Sequence, residues 1–475
     1  MSVPFRLADV LQWTGGRLVS GNPDAVLRGV SIDSRAVGAG ELFVAIRGPR
    51  HDAHAFLEAA AARGAAALLV ERGGAVAASL LAPDSRVTVV EVDDTTRALG
   101  ALGSGHRAGF SGPVVALTGS NGKTTTKEMC AAILSVAAPC LKTQGNLNNQ
   151  FGVPLTLLRR DAEHRALVVE LGMNHRGEIA PLVAIARPTV GLLTNVGTAH
   201  IENLGSQEEI ALEKGDLVAA LAPDATAVLN AEDARVLAQR ARTRAHVTTF
   251  GRGGDVRAEN ITPLGDRGFA FDVVTPQGTI AVRVSGLGET TVINSLAAAA
   301  AALAAGATLA DVATGLGRYR PIGGRMERVE LPRNVILIND TYNANPQSME
   351  IALRSLSELK GQARGFAVLG DMGELGAMAS DAHRATGRLV AELGIDYLLA
   401  LGAHAGETAE GARAAGMDGA RVRVCRDHLD ASERLRDTLQ GNDWILVKGS
   451  RSMQMERVVD ALVAQAQPGA RAEGI

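Results

Sequence analysis

Aromatic residues make up only 3% of this 475-residue chain, with two Trp, three Tyr and nine Phe. That scarcity disfavours a stacking platform for nucleic-acid bases. Charge of one sign does not accumulate either: 48 Lys and Arg stand against 51 Asp and Glu, a formal net charge of −3. Neither a polyanionic nucleic acid nor an anionic membrane surface would be drawn to such a protein. The three cysteines, Cys130, Cys140 and Cys425, show no metal-binding spacing, so a reducing cytoplasm is the expected compartment. Met1 to Gly16 lacks a cationic start followed by an apolar core, so no secretion signal is expected. Alanine-rich stretches such as Leu296 to Ala305 are too short and too weakly hydrophobic to span a bilayer, and no membrane insertion is expected. What is present suits a globular protein: 46% of residues are hydrophobic and 21% charged. The length suggests about three domains.

Three blocks separate by pattern, with boundaries read at 1–110, 111–318 and 319–475. The first has short alternating runs, including Leu42 to Ile46, and alanine-rich helices. A Gly- and Ser-bearing stretch, Gly103 to Gly112, reads as the linker to the second. The second repeats strand–helix units through Val114–Leu117, Leu167–Glu170, Val190–Thr194 and Ala227–Asn230, then has a β-rich stretch from Val247 to Val284 and an alanine-rich helix from Asn294. The third alternates helical segments with Val335–Ile338, Phe366–Leu369, Tyr397–Ala400 and Trp444–Val447. Near-continuous apolar strands between helices imply parallel sheets covered on both faces. The fold class is therefore α/β, with the two later blocks doubly wound and functional residues just past their strand ends. The tail from Gln467 to Ile475 reads as disordered.

The strongest chemical signal is Thr118-Gly119-Ser120-Asn121-Gly122-Lys123-Thr124-Thr125-Thr126, set between an apolar strand and a helical pattern from Lys127 to Leu134. Glycines let backbone N–H groups converge on an anion, and the helix N-terminus adds partial positive charge. Lys123 would reach the terminal phosphates of a nucleotide, and the Thr124 hydroxyl would ligate Mg²⁺. The full phosphate-loop pattern wants glycine at position 117, where this chain has leucine, so the loop is a shortened variant.

Three further residues carry two readings each. Glu170 ends an apolar strand and is either a carboxylate on the nucleotide's Mg²⁺ or a solvated strand-end residue. His200, just beyond another strand, is either a metal ligand or a capping residue. Lys214 lies on a helix opened by the Ser206/Glu209 capping pattern, on the same face as Ile210, Leu217, Val218 and Leu221. It either snorkels to solvent or, desolvated and neutral, reacts with carbon dioxide to give an anionic oxygen ligand for a second Mg²⁺.

Together with Thr143–Asn149, Glu170–His175, Asn195–His200, Asp340–Pro346, Leu369–Gly376 and Lys448–Met453, these segments resemble the Mur ligases. These are ATP-dependent enzymes that add amino acids to the cytoplasmic precursor of peptidoglycan. The resemblance spans nearly the whole chain. The segments of the last block point to the member that joins D-Ala-D-Ala to UDP-MurNAc-tripeptide.

The resemblance implies a small α/β N-terminal substrate domain, a central ATP-binding domain of the phosphate-loop type, and a C-terminal Rossmann-like domain that closes over ATP, with the hinge expected near Gly315 to Gly324, where proline and glycines cluster. It implies ATP and Mg²⁺ as cofactors, an acyl-phosphate intermediate and a monomer. By resemblance, Gly119 to Thr125 hold the ATP phosphates, with Thr124 and Glu170 on one Mg²⁺ and His200 and a carbamylated Lys214 on the second. Arg325 approaches the phosphates from the third domain, Asp340 binds the ribose and Asn294 contacts adenine. Ser34 and Arg35 match a uridine-binding segment, and Thr143 and Asn146 the contacts to the muramoyl group. Asn343, Asn345 and Asp371 are candidates for the D-Ala-D-Ala pocket. The chain departs from the family at Thr290 and Thr291, where histidine and asparagine are usual. Two alternatives stay open: a related ligase adding a different amino acid, and a nucleotide-binding homologue that does not catalyse.

Overall fold

The computed structural model describes residues 2–48, 51–82 and 85–466; the tail expected to be disordered lies outside them. The first block builds a five-stranded sheet in the order Arg17–Ser20, Thr88–Val92, Ala67–Glu71, Leu42–Val44 and Val30–Ser31. Only the Arg17–Ser20 edge runs antiparallel.

Gly103 to Ala108, expected as a linker, is instead the end of the helix Thr95–Ala108. Its glycines mark close packing: a Cβ on Gly103 would sit 2.7 Å from Pro154 Cα, in the helix Gly152–Leu158 of the central domain. Arg107, at the end of the same helix, donates to the carbonyls of Ala186, Phe110 and Arg187. The junction is thus a packed helix contact.

The central sheet is six-stranded and wholly parallel, in the order His246–Phe250, Thr226–Asn230, Val190–Leu193, Val114–Thr118, Ala166–Glu170 and Cys140–Lys142. All five residues of Val114–Thr118 are buried, as an interior parallel strand requires. From this strand the chain goes to the edge at Cys140–Lys142, fills the gap with Ala166–Glu170, and then crosses to the other side at Val190. Such a switch opens a crevice at the strand C-termini, where the phosphate loop lies.

The β-rich stretch divides. His246–Phe250 joins the parallel sheet, whereas Arg257–Pro263, Phe269–Thr275 and Gly278–Val284 form a separate antiparallel sheet. The alanine-rich helix begins at Thr290, four residues earlier than expected, and runs to Ala304. Ala297 to Ala302 are all buried, and their small side chains let this helix lie against the phosphate-loop helix Lys123–Leu134.

The third sheet has the order Glu327–Leu331, Val335–Asp340, Trp444–Lys448, Gly365–Leu369, Tyr397–Ala400 and Val422–Val424. Only Glu327–Leu331 is antiparallel, and apolar clusters cover both faces. The pairing of Val335–Asp340 with Trp444–Lys448 sets Asp340 beside Lys448 at the strand ends. Gly315, expected near a hinge, lies inside the helix Leu309–Arg318, packed on the backbone at Ile133. The connection between domains therefore begins after Arg318. No described helix is long and apolar enough to cross a membrane.

Candidate active site

A cavity of about 630 Å³ lies between the central and third domains. Its floor is the phosphate loop. Gly119 has φ 154° and Gly122 φ 77°, and a side chain on either would collide with Thr194 or Asn294. The loop is braced from the neighbouring strand end. Ser120 N–H donates to the Asn195 carbonyl (2.9 Å), Thr194 Oγ1 donates to the Asn121 carbonyl (2.7 Å), and Gly197 N–H donates to Ser120 Oγ (2.8 Å).

Lys123 Nζ folds back to donate to the carbonyls of Gly119 (2.6 Å) and Ser120 (3.3 Å). Burial lowers its pKa, Glu170 opposes that shift, and Arg325 adds to it. A desolvated ammonium so placed gains from an incoming polyanion.

Glu170 is 2% exposed and held on all sides. Its Oε2 accepts from Thr124 Oγ1 (2.9 Å), its Oε1 from Asn148 Nδ2 (2.9 Å), and its N–H donates to Thr143 Oγ1 (3.0 Å). Lys127, one helical turn beyond Lys123 and fully buried, donates to the Thr143 carbonyl (2.7 Å) and lies 4.0 Å from Glu170. Sequence reasoning gave no role to Lys127 or Asn148; the four-residue spacing of Lys123 and Lys127 was the available signal. Thr143, expected on the muramoyl group, is completely buried beneath Glu170 and does not face the cavity.

Lys214 does not snorkel. It is 2% exposed, lines the cavity, and has its pKa driven well below the usual value by burial and then by the charge of Lys123. Its neighbour Glu213 accepts from the N–H groups of Gly177, Glu178 and Ile179, which pins the helix register. His200 also lines the cavity, with its Nδ1 2.6 Å from Glu374 of the third domain.

Across the cavity stand Arg325, Asp340, Asn343 and Asn345. The Arg325 guanidinium sits 3.7 Å over the Tyr342 ring, which fixes its plane. Asp340 accepts from Met326 N–H (3.1 Å) and from the buried Lys448 Nζ (2.6 Å), and the same amine donates to the Asn343 carbonyl (2.9 Å). Asn146 and Asn294 line the cavity as well. Thr290 lines it beside Thr291, whose hydroxyl donates back to the Leu287 carbonyl (3.2 Å).

Two expected sites fall elsewhere. Asp371 accepts from the N–H groups of Ala403 and His404, away from the cavity lining, because it tethers a neighbouring loop of its own domain. Ser34 and Arg35 lie on the first domain, outside this cavity, with Arg35 paired to Asp33 at 2.9 Å.

A phosphate loop at a sheet switch point, facing a second α/β domain across one cavity, defines a three-domain nucleotide-binding enzyme fold. The chain belongs to the Mur ligase family. The Mur ligase middle domain matches residues 117–302, the Mur ligase glutamate ligase domain 324–451, and the Mur ligase family catalytic domain 26–107. Over 447 residues the chain is 39% identical to the UDP-N-acetylmuramoyl-tripeptide–D-alanyl-D-alanine ligase of Escherichia coli (strain K12), covering 92% of this chain and 94% of that relative. The crystal structure of MurF from Acinetobacter baumannii matches with a TM-score of 0.88 at 35% identity, over 98% of this chain and 99% of that one. MurF ligase from Thermotoga maritima, solved in complex with ADP, matches with a TM-score of 0.80 at 27% identity, over 92% and 98%.

Proposed function

We propose that this chain joins D-Ala-D-Ala to UDP-MurNAc-tripeptide using ATP, giving UDP-MurNAc-pentapeptide, ADP and phosphate in peptidoglycan precursor synthesis. Its likeness along nearly the whole chain to ligases named for that reaction supports the substrates. The observation that carries the chemistry is the convergence of Lys123, the Thr124–Glu170 pair, Lys214, Arg325 and Asp340 on one cavity. Residues 1–110 would hold the UDP-muramoyl end through Ser34 and Arg35. Residues 111–318 would hold ATP, and 319–475 the dipeptide beside Asn343 and Asn345. On this reading the protein would work in the cytoplasm, where such a precursor is made, and the family resemblance favours a monomer.

The tripeptide carboxylate must attack the γ-phosphate of ATP although both are anionic. Lys123 and Arg325 bring cationic charge to the phosphates from opposite domains. The donor set also fits Mg²⁺: the Thr124 hydroxyl and Glu170 carboxylate are hard oxygens already 2.9 Å apart. So few protein donors suit an ion that keeps waters and shares substrate phosphates. Mg²⁺ bound there, and a second held by His200 and a carbamylated Lys214, would neutralise charge on the transferring phosphoryl group. Burial drives the pKa of Lys214 well down, which favours the neutral amine that this modification needs. The nitrogen lone pair bonds to the carbon of carbon dioxide and the displaced proton leaves to solvent.

The carboxylate oxygen then bonds to phosphorus as ADP departs. The neutral amine of D-Ala-D-Ala attacks the acyl carbon, the bond from that carbon to the phosphate oxygen breaks, and phosphate departs with the proton lost from nitrogen. The acyl phosphate needs protection from water, which contacts of the third domain with the loop and with His200 would supply.

Phosphate release from ATP, measured with UDP-MurNAc-tripeptide in the presence and absence of D-Ala-D-Ala, tests the reading. Release should need both substrates and vanish in Lys123→Ala. Tight ATP binding without release would sink it and leave another acceptor or a non-catalytic nucleotide-binding protein.

A further inference from the structure

Every polar atom of Asn121 has a partner, and the partners divide by domain. The backbone belongs to the central domain: the N–H donates to Asn195 Oδ1 (2.9 Å), and the carbonyl accepts from Thr194 Oγ1 (2.7 Å) and Asn195 Nδ2 (3.0 Å). The side chain belongs to the third domain. Its Oδ1 accepts from Asn345 Nδ2 (2.9 Å), and its Nδ2 donates to Gln347 Oε1 (2.8 Å). Asn345 is in turn the N-cap of the helix Pro346–Lys360, its Oδ1 accepting from Ser348 N–H (2.9 Å). Gly197 leaves the space that Gln347 occupies, since a Cβ there would run into the Gln347 amide oxygen. The tip of the phosphate loop is therefore hydrogen-bonded, through one amide, to the start of a third-domain helix.

The chemistry of the side chain suits that place. An amide is both donor and acceptor, so one short side chain can hold two partners. It is also neutral, so it can stand among phosphate-binding groups without repelling the anion.

We infer that Asn121 is a positioning residue that couples nucleotide occupancy of the loop to the placement of Asn345 and its helix, and so to the dipeptide side of the cavity. The inference rests on the ligase reading for the identity of that dipeptide, while the coupling itself concerns only the loop and the third domain. Coupling between two sites is reciprocal. Asn345, which the ligase reading puts on the dipeptide side of the cavity, should then change nucleotide affinity when its bond to Asn121 is lost.

The test is a double-mutant cycle on the full chain, with ADP binding measured by titration calorimetry. The variants are Asn121→Ala, Asn345→Ser and the pair together. Serine still caps a helix but is too short to reach the loop. Asn345→Ser should weaken ADP binding roughly three- to tenfold, the span of one hydrogen bond, and Asn121→Ala, which loses the bond to Gln347 as well, at least as much. The double variant should be no weaker than the worse single one, because the same bond is removed. In turnover, Asn121→Ala should raise the KM for D-Ala-D-Ala with a smaller change in kcat.

Unchanged ADP affinity in Asn345→Ser, or losses that multiply in the double variant, would overturn the coupling. Gln347→Ala leaves the cap untouched and repeats the test if the serine variant melts early. Phosphate release by the unmodified chain reports separately on the ligase reading, and its absence leaves the ADP cycle fully interpretable.

Discussion

The carboxylate of Glu374, carried by the third domain, lies 2.6 Å from Nδ1 of His200 in the central domain. Both residues have left-handed backbones, φ 60° and 66°, which non-glycine residues seldom adopt. The Glu374 carbonyl also accepts from Glu202 N–H at 3.4 Å, so the loop Leu369–Gly376 docks by main chain and side chain together. The His200 ring beside it holds the Glu374 carboxyl below its usual pKa despite partial burial. Side-chain exposures of 46% and 18% leave the pair partly screened by solvent. Glu374→Gln should therefore lower kcat by about fivefold to tenfold, toward the low end for a polar contact that involves a charged group. Steady-state kinetics at low and high salt check this, and the gap between variant and parent should narrow as salt rises. Equal kcat values would remove the pair from turnover.

Lys214→Ala should abolish turnover, because in the proposed mechanism the anionic oxygen ligand for the second Mg²⁺ forms on its amine. Short-chain carboxylic acids should restore part of the rate by placing an anionic oxygen in the vacated space. The check is phosphate release by the variant across a series of acids. An active alanine variant without added acid would take the carbamate out of the mechanism.

Much of this was legible in the chain, for identifiable reasons. Val114–Thr118 and its glycine loop were readable because a buried parallel strand is apolar throughout and the loop chemistry is local. Lys214 was readable as inward-facing from helical spacing, but the choice between snorkelling and burial needed the packing around it. Glycine was ambiguous. Gly103 and Gly315 suggested a linker and a hinge, yet both serve close helix contacts, which composition alone does not separate from flexibility. The β-rich stretch was recognised, but which strands joined the parallel sheet depended on partners far away in sequence. For the same reason the contacts of Asn121 with Asn345 and of His200 with Glu374 were invisible: they join segments separated by well over a hundred residues.

Acid should destabilise the third domain through His383. Its Nδ1–H donates to the Ala379 carbonyl (2.7 Å) and its Nε2 accepts from Met372 N–H (2.9 Å), an arrangement that needs the neutral ring. Asp371 Oδ1 lies 3.9 Å away, and the ring of His404, itself beside Glu407, stacks on it at 4.6 Å. Burial is the largest influence and lowers the pKa; the Ala379 carbonyl and Asp371 resist, and His404 adds to the lowering. A histidine whose folded pKa is depressed binds its proton first in the unfolded chain. Stability is then full above the unfolded value of about 6.5 and declines as pH falls below it, until the folded ring also titrates. The melting temperature should therefore drop between about pH 7 and pH 5. His383→Gln, whose amide oxygen can still accept from Met372, should flatten part of that slope. His106, also lowered by burial, should leave a remainder. An identical slope in the variant would rule out His383 as its source.

Thr143→Val separates two roles for one residue. The family resemblance puts Thr143 on the muramoyl group, whereas its hydroxyl is buried and accepts from Glu170 N–H at 3.0 Å. Valine keeps the shape but removes the acceptor, leaving a buried N–H without its partner, a cost of about 1–3 kcal/mol. The loss falls at the end of the strand that presents Glu170, so the carboxylate should shift relative to Thr124 and Asn148. We expect a lower melting temperature and a reduced kcat, with little change in the KM for UDP-MurNAc-tripeptide. Thermal denaturation together with steady-state kinetics checks it. A substituent acting through Glu170 changes the rate, whereas one touching the muramoyl group changes the KM. A selective rise in that KM at unchanged stability would therefore return Thr143 to the substrate and require the cavity to open beneath Glu170.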